Sequence, residues 1–399
     1  VHLWEEKMVI CIITNNELAR SHGVGAQILQ VFQGSQFHHF YWGIGHGQRS
    51  EVPQSSLLKD RMPDVRQLGG FVRRLKQLSG VTWWRGNEVN ALWLRQLVES
   101  KGLRFDAAYV NVARESDAKR ALSIVRSLKV PFVVHMVDVL HEQGLDPVSM
   151  PAMDKLLNEA SGLAALLPSI AEEMKKFSKA PIQIIPVGKP VTRQIAAPPR
   201  VGEPIRMIIG GRPYQGGCQV LAKAWKDVNE NCRKVELFYV GPHYRDIPMD
   251  LKPACRDAGF LRSEDDYQHF LATAHLAFLS GPDNDMHGKW SFPSRTVDHL
   301  MAGLPVLACV PGGSATEKVL GPIFPNAVAF TRSGADIVEA INRFTADQQT
   351  WISASRAARS FAEETMSLDS VRTKIFEALE SAKIGNNQTW RFRGMEMRR

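Results

Sequence analysis

The strongest constraint on this chain's fold is the alternation of short, β-rich apolar runs with helix-periodic segments. Apolar runs at residues 8–14, 107–112, 132–137 and 163–167 are separated by helical patterns such as 88–101 and 116–128. Strands that are apolar along their whole length must be buried on both faces. Interleaved with helices, they predict a parallel sheet with helices packed on its two sides. A strand and turn at 182–188 close this series. Residues 190–204 follow, rich in proline and poor in apolar residues, and they read as an interdomain linker about which a cleft could close. A second series then begins, with strands at 206–211, 235–241 and 277–280 and helices at 218–229 and 265–274. Repetition of right-handed βαβ units sets the strand ends of each series on one sheet edge, where α/β folds bind ligands. With 399 residues, the chain is too long for one ordinary core and suits two domains of about 150–200 residues each.

Composition narrows the partners. The chain is 44% hydrophobic and 23% charged, as soluble globular proteins are, and it holds no run of about 18 apolar residues that would span a membrane. The first seven residues have no apolar core and do not read as a secretion signal. Cys11, Cys218, Cys232, Cys255 and Cys309 are scattered without metal-ligand spacing, which argues against structural zinc and fits a reducing cytoplasm. A formal charge of +8 admits a nucleotide polyanion, an acidic membrane surface or nucleic acid. Nucleic acid is the weakest of these, because the basic residues are dispersed and no helix-turn-helix, zinc-finger or RNP pattern is present.

Residues 289–308 carry the most chemistry. Pro293 marks a loop, and a short helix is expected from Arg295 to Ala302 with Ser294 as its N-cap and Gly303 as its terminator. A helix start bearing an arginine suits a phosphate, and Asp298 one turn further in could take two ribose hydroxyls. Residue types alone leave an ordinary helix-to-strand unit equally open. Near the N-terminus, Gly23 and Gly25 let a phosphate approach a strand-to-helix turn. The third glycine of a dinucleotide fingerprint falls instead at Ile28, so a nicotinamide-dependent oxidoreductase is poorly supported.

The 289–308 segment resembles the donor-site signature of GT-B glycosyltransferases of the family 4 type, a "Pro-Ser-Lys/Arg … Glu-Tyr-Leu-Ala-Gly-x-Pro-Val" run. Pro293, Ser294, Arg295, Asp298, His299, Leu300, Ala302, Gly303, Pro305 and Val306 fill it. Of the two glutamates that the family sets a fixed interval apart, the second becomes Asp298 and the first falls on Trp290. Gly210, Gly211, Arg212 and Gln215 resemble the family's "Gly-Arg … Lys-Gly" loop, with glutamine where its lysine stands. The loop of Gly259, Phe260, Leu261 and Arg262 resembles the one that receives the nucleobase.

The resemblance implies a GT-B fold: two doubly wound, Rossmann-like domains facing a central cleft. Residues 1–190 would bind the acceptor, 191–365 the nucleotide sugar, and 366–399 would return to the first domain. It implies a glycosyltransferase moving a sugar from a nucleotide-diphosphate donor such as a UDP-sugar to a hydroxyl acceptor, carbohydrate or lipid-linked. Retention of configuration is expected, with no metal and no resident cofactor. The implied catalytic residues are Arg212 and Arg295 on the leaving diphosphate, with His135 and Asp138 at an N-domain strand end. The implied donor-binding residues are Gly23, Gly25, Gly211, Gln215, Leu261, Arg262, Ser294 and Asp298. Arg73, Arg74, Lys76, Trp83, Trp84 and Arg85 mix cations with indoles in a way that suits peripheral membrane contact. A core-packed amphipathic helix accounts for that stretch as well. The expected setting is cytoplasmic, at the inner membrane face, in surface polysaccharide or glycolipid assembly. The alternative is a GT-B-like protein that binds nucleotide or glycan without transfer.

Overall fold

Burial falls where the apolar runs predict it: in the computed structural model Ile10, Ile12, Ile13, Val110 and Val134 have no exposed surface, and neither do Leu237, Leu276 and Leu307. The structure describes residues 8–14, 28, 30–32, 38–43, 99, 102, 104–112, 115–137, 151–261, 263–281 and 290–396, with 38–43 and 385–396 described by backbone alone. The first series consists of β1 (Val9–Thr14), β2 (His38–Gly43), β3 (Ala107–Asn111), α1 (Glu115–Leu128), β4 (Phe132–Met136), α2 (Pro151–Glu159), β5 (Gly162–Ala165), α3 (Pro168–Met174) and β6 (Ile182–Ile184). Its strands form an all-parallel sheet in the order β2-β1-β3-β4-β5-β6.

The second series runs β7 (Ile205–Gly210), α4 (Gln215–Asn231), β8 (Val235–Val240), β9 (Cys255–Asp257), α5 (Glu264–Ala272) and β10 (Leu276–Ser280). It continues through α6 (Arg295–Met301), β11 (Val306–Cys309), α7 (Ala315–Leu320), β12 (Val328–Phe330), α8 (Gly334–Phe344), α9 (Gln348–Met366) and α10 (Leu368–Glu396). The order β12-β11-β10-β7-β8-β9 is the doubly wound arrangement in which chain direction across the sheet reverses between the first strand, β7, and the fourth, β10. At such a reversal the flanking loops diverge and leave a crevice beyond the carboxyl ends of both strands.

The chain divides into two compact units, one of residues 1–166, 170–185 and 372–399, the other of 167–169 and 186–371. In the first, Arg372 donates from Nε and Nη2 to the carbonyls of Val31 and Gln30, both at 2.9 Å. Lys383 also pairs with Asp106 at 3.0 Å, so part of α10 is fixed to this unit. The stretch 190–204, read from the sequence as the interdomain linker, lies on the second unit, whose boundary with the first falls at 185/186. Ala196 N–H donates to the Ala302 carbonyl at 2.9 Å, and Arg359 donates to the carbonyls of Thr192 at 3.0 Å and Met301 at 3.2 Å. A proline-rich segment cannot satisfy its own backbone, and here a neighbouring helix and an arginine supply the partners.

His135, expected as a catalytic residue, is corrected to a core residue. Its ring is 2% exposed, Nδ1 shares a hydrogen bond with the Tyr109 hydroxyl, and Asn111 Nδ2 donates to its carbonyl at 2.9 Å. Burial lowers its pKa to about 4, against a smaller upward influence of the Ile185 backbone. His299 on α6 is fully buried, and burial followed by the Arg295 charge lowers it to about 3. Both are neutral in the folded chain well below the ordinary histidine value of 6.5.

Two outcomes are expected. As pH falls from about 6.5 towards 5, the unfolded chain binds protons at both rings and the folded chain does not. Stability is therefore full above that window and declines within it, by up to about 1.4 kcal/mol per pH unit for each proton. Urea unfolding across this range should show the decline, and His135→Gln should lessen it; a flat or rising profile contradicts the assignment. Arg359→Leu should cost about 1–3 kcal/mol, the usual loss for stranding buried acceptors. It should also speed tryptic cleavage after Arg193, read by mass spectrometry.

Candidate donor site at the strand reversal of the second sheet

β7 ends in Gly210 and Gly211. Gly211 has φ +82°, a left-handed conformation that disfavours any side chain, and its N–H donates to the Val240 carbonyl at 3.1 Å. Its carbonyl accepts from the Tyr239 hydroxyl at 2.8 Å, and that hydroxyl accepts from His243 N–H at 2.7 Å. The turn delivers Arg212 to the surface, exposed, with its guanidinium carbon 5.8 Å from the centre of the Tyr214 ring. No carboxylate among the described residues lies within ion-pair distance of Arg212. Tyr214 N–H donates to Ser280 Oγ at 3.0 Å, which ties this loop to the end of β10.

α4 starts at once with Gln215, and the side chain of its N-cap residue, Tyr214, makes no capping bond. Gly217 in its first turn brings the helix against the strand ends: a Cβ there would stand 2.9 Å from the Cys309 carbonyl oxygen and from Ser280 Cα. A helix start beside an exposed arginine concentrates positive potential at the reversal. Gln215 does not open towards the crevice, because its Nε2 donates to the Asp246 carbonyl.

Arg295 comes from the other side of the reversal. As the first residue of α6, it packs its Cγ 3.2 Å from where a Gly211 Cβ would sit. Its guanidinium carbon lies 4.3 Å over the Tyr267 ring, and Nη1 meets Asp298 Oδ2 at 3.3 Å. Burial opposes the Arg295 charge, but Tyr267, Asp298 and Glu264 outweigh it and raise its pKa. Lys189 Nζ stands 3.2 Å from the other oxygen of Asp298. That carboxylate, expected to take ribose hydroxyls, is 2% exposed, and each of its oxygens faces a cation.

Ser294 stands at the N-cap position of α6, as expected, but does not cap it through its side chain. Its backbone is already helical (φ −59°, ψ −27°). Gly303 does terminate α6, at φ +74°, with the Leu304 N–H donating to the His299 carbonyl at 3.0 Å. Trp290 is buried at 8% exposure. Leu261 is half-buried beside Gly259, whose φ is +77° and whose carbonyl accepts from Gly241 N–H at 3.0 Å.

The structure thus gathers Gly211, Arg212 and Arg295 at one crevice, with Gln215 adjacent but turned away and Asp298 beneath. Gly23, Gly25, Asp138 and Arg262 lie outside the described residues, as do Arg73, Arg74, Lys76, Trp83, Trp84 and Arg85. No group of three metal-ligating side chains occurs among the described residues. Sequence reasoning missed Tyr267 and Lys189. A lone lysine between Gly188 and Pro190 was a usable signal, since charge in a stretch otherwise made of apolar residues, glycine and proline calls for a partner.

No protein-family model and no curated protein sequence matches the chain. Solved structures do. Anabaena HepE in complex with UDP and glucose superposes with a TM-score of 0.61 at 14% identity, covering 94% of this chain and 100% of that one. A glycosyltransferase from Rickettsia africae gives 0.62 at 11% identity, over 94% and 99%. The lipopolysaccharide outer core galactosyltransferase WaaB gives 0.60 at 13% identity, over 94% and 99%. At such identities the likeness is one of fold, and the chain has the two Rossmann-like parallel sheets of the GT-B architecture.

Proposed function

We propose that the chain is a glycosyltransferase that moves a sugar from a nucleotide-diphosphate donor, a UDP-sugar by preference, to a hydroxyl acceptor. The carrying observation is that Arg212 and Arg295 flank Gly211 at the reversal of the second sheet, beside the start of α4. Fold relatives support the substrate class: HepE was solved with UDP and glucose, and WaaB is a galactosyltransferase. In the reaction the bond from the anomeric carbon to the diphosphate oxygen breaks, and one to the acceptor oxygen forms. The diphosphate leaves with the bonding electrons. Charge grows on it as it departs, so cations fixed in advance stabilise the transition state more than the bound donor.

Retention and metal independence are part of the proposal. Two guanidinium groups can do the neutralising work otherwise given to a divalent cation, and Arg212 offers a bidentate fork to phosphate. In a retaining transfer the departing phosphate oxygen can take the acceptor proton, so no dedicated base is required. No helix among the described residues is long and apolar enough to cross a membrane. We assign the enzyme to the cytoplasmic membrane face, acting on a carbohydrate or lipid-linked acceptor in surface polysaccharide or glycolipid assembly. The net charge of +8 favours attraction to anionic lipid.

A second reading, binding without transfer, draws on the buried Trp290 and on Gln215 being tied to Asp246. Slow hydrolysis of a UDP-sugar without acceptor separates the two, since a binding protein shows none. For the enzyme, Arg212→Ala should lower kcat by about a hundredfold, as losing one preorganised donor does. Arg212→Lys should recover part of the rate, restoring charge but not the fork. Full turnover in both variants would place the clamp elsewhere.

A further inference from the structure

We propose that Lys189 is a positioning residue of the donor site, holding Asp298 neutralised so that Arg295 keeps a net positive charge towards the diphosphate. The inference rests on the donor-site reading above. Its starting point is a charge count. Arg295 and Asp298 alone cancel, and their mutual attraction turns the guanidinium towards its own helix rather than the crevice. With Lys189 on the other carboxylate oxygen, two cations stand against the one carboxylate they touch, so this three-membered cluster is net positive beside Gly211, with Glu264 acting on Arg295 through space and not in ion-pair contact. The site therefore does not depend on the exposed Arg212 alone, although glutamine stands at position 215.

The geometry is built rather than incidental. Lys189 N–H donates to the Met366 carbonyl at 3.0 Å, and its carbonyl accepts from Leu368 N–H at 2.8 Å. Its neighbour Gly188 lies under Val371, where a Cβ would come within 3.1 Å of that side chain. The lysine backbone is thus fixed on both sides at the junction of α9 and α10, and only the side chain is left to reach Asp298. The ammonium is 21% exposed and the carboxylate 2%. Little water is available to screen the pair, and an unneutralised carboxylate here would be costly. The Tyr267 ring on the far side of Arg295 completes a support that fixes the guanidinium from below.

Calorimetric titration of the full chain with UDP, and separately with inorganic pyrophosphate, tests this. Lys189→Met should weaken both by about tenfold, the scale of one partly screened charge at short range. Lys189→Arg should bind within about twofold of wild type, and raised salt should narrow the gap between Lys189→Met and wild type. The decisive variant is Lys189→Met combined with Asp298→Asn. It restores the positive charge without restoring the ion pair and leaves no buried carboxylate unpaired, so it also guards against a single variant that fails to fold. Recovery of most of the lost affinity supports the proposal. A double variant as weak as Lys189→Met, or a folded Lys189→Met that binds like wild type, overturns it while leaving the donor-site reading intact. Wild-type protein that binds neither probe overturns the donor-site reading and this proposal with it.

Discussion

A carboxylate with almost no access to water lies between two cations, and the order of the candidate site depends on it. A carboxylate at the depth of Asp298 needs partners, since a buried unpaired charge is among the costliest defects a fold can carry. Lys189 and Arg295 meet its two oxygens, and each is itself held, the lysine by backbone bonds to the α9–α10 junction and the arginine by Tyr267 and the bare backbone of Gly211. One ion cluster thereby links the chain entering the second unit, the start of α6 and the turn after β7. The absence of a side chain at Gly211 is what permits it, because a Cβ there would press on Arg295.

The strand reversal of the second sheet brings these groups together. β7 and β10 are neighbours in the sheet but far apart in sequence. Arg212 follows one strand and Arg295 lies beyond the other. Ser280 at the end of β10 and Gly217 in α4 close the remaining space. The first unit makes a different contribution. The histidine of β4 is spent on the core, bonded to Tyr109 in a place where it cannot carry charge near neutral pH.

Much of this architecture was legible in the sequence because parallel strands buried on both faces leave a plain apolar signature. β1, β3, β4, β7, β8 and β10 lie where apolar runs put them. β9, only three residues long, gave no run to detect, and its sequence Cys-Arg-Asp is mostly polar because two of the three side chains are exposed. The tertiary contacts of 190–204 were hidden for a related reason. Proline content reports the absence of regular structure, not the absence of tertiary contacts, and Arg359 and Ala302 supply those contacts from distant sequence. At the site, Arg212, Gly211 and Arg295 stood out because glycine and arginine at a strand end pack no core and suit an anion. Asp298 stood out in the sequence, but its pairing with Lys189 did not, since sequence spacing shows which helix face a carboxylate occupies and not which lysine crosses over to it. Ser294 marked the start of α6 correctly, but a serine before a helix looks the same in sequence whether or not its hydroxyl makes the capping bond, and here it does not.

If the reversal of the second sheet holds the diphosphate of a nucleotide donor, a crystal structure of the chain with UDP is the direct test. The diphosphate should lie at the start of α4, with its oxygens within hydrogen-bond distance of the guanidinium groups of Arg212 and Arg295. Lys189 should still be paired to Asp298 beneath it. A diphosphate bound elsewhere on the chain, with neither arginine touching it, would contradict the assignment of the donor site.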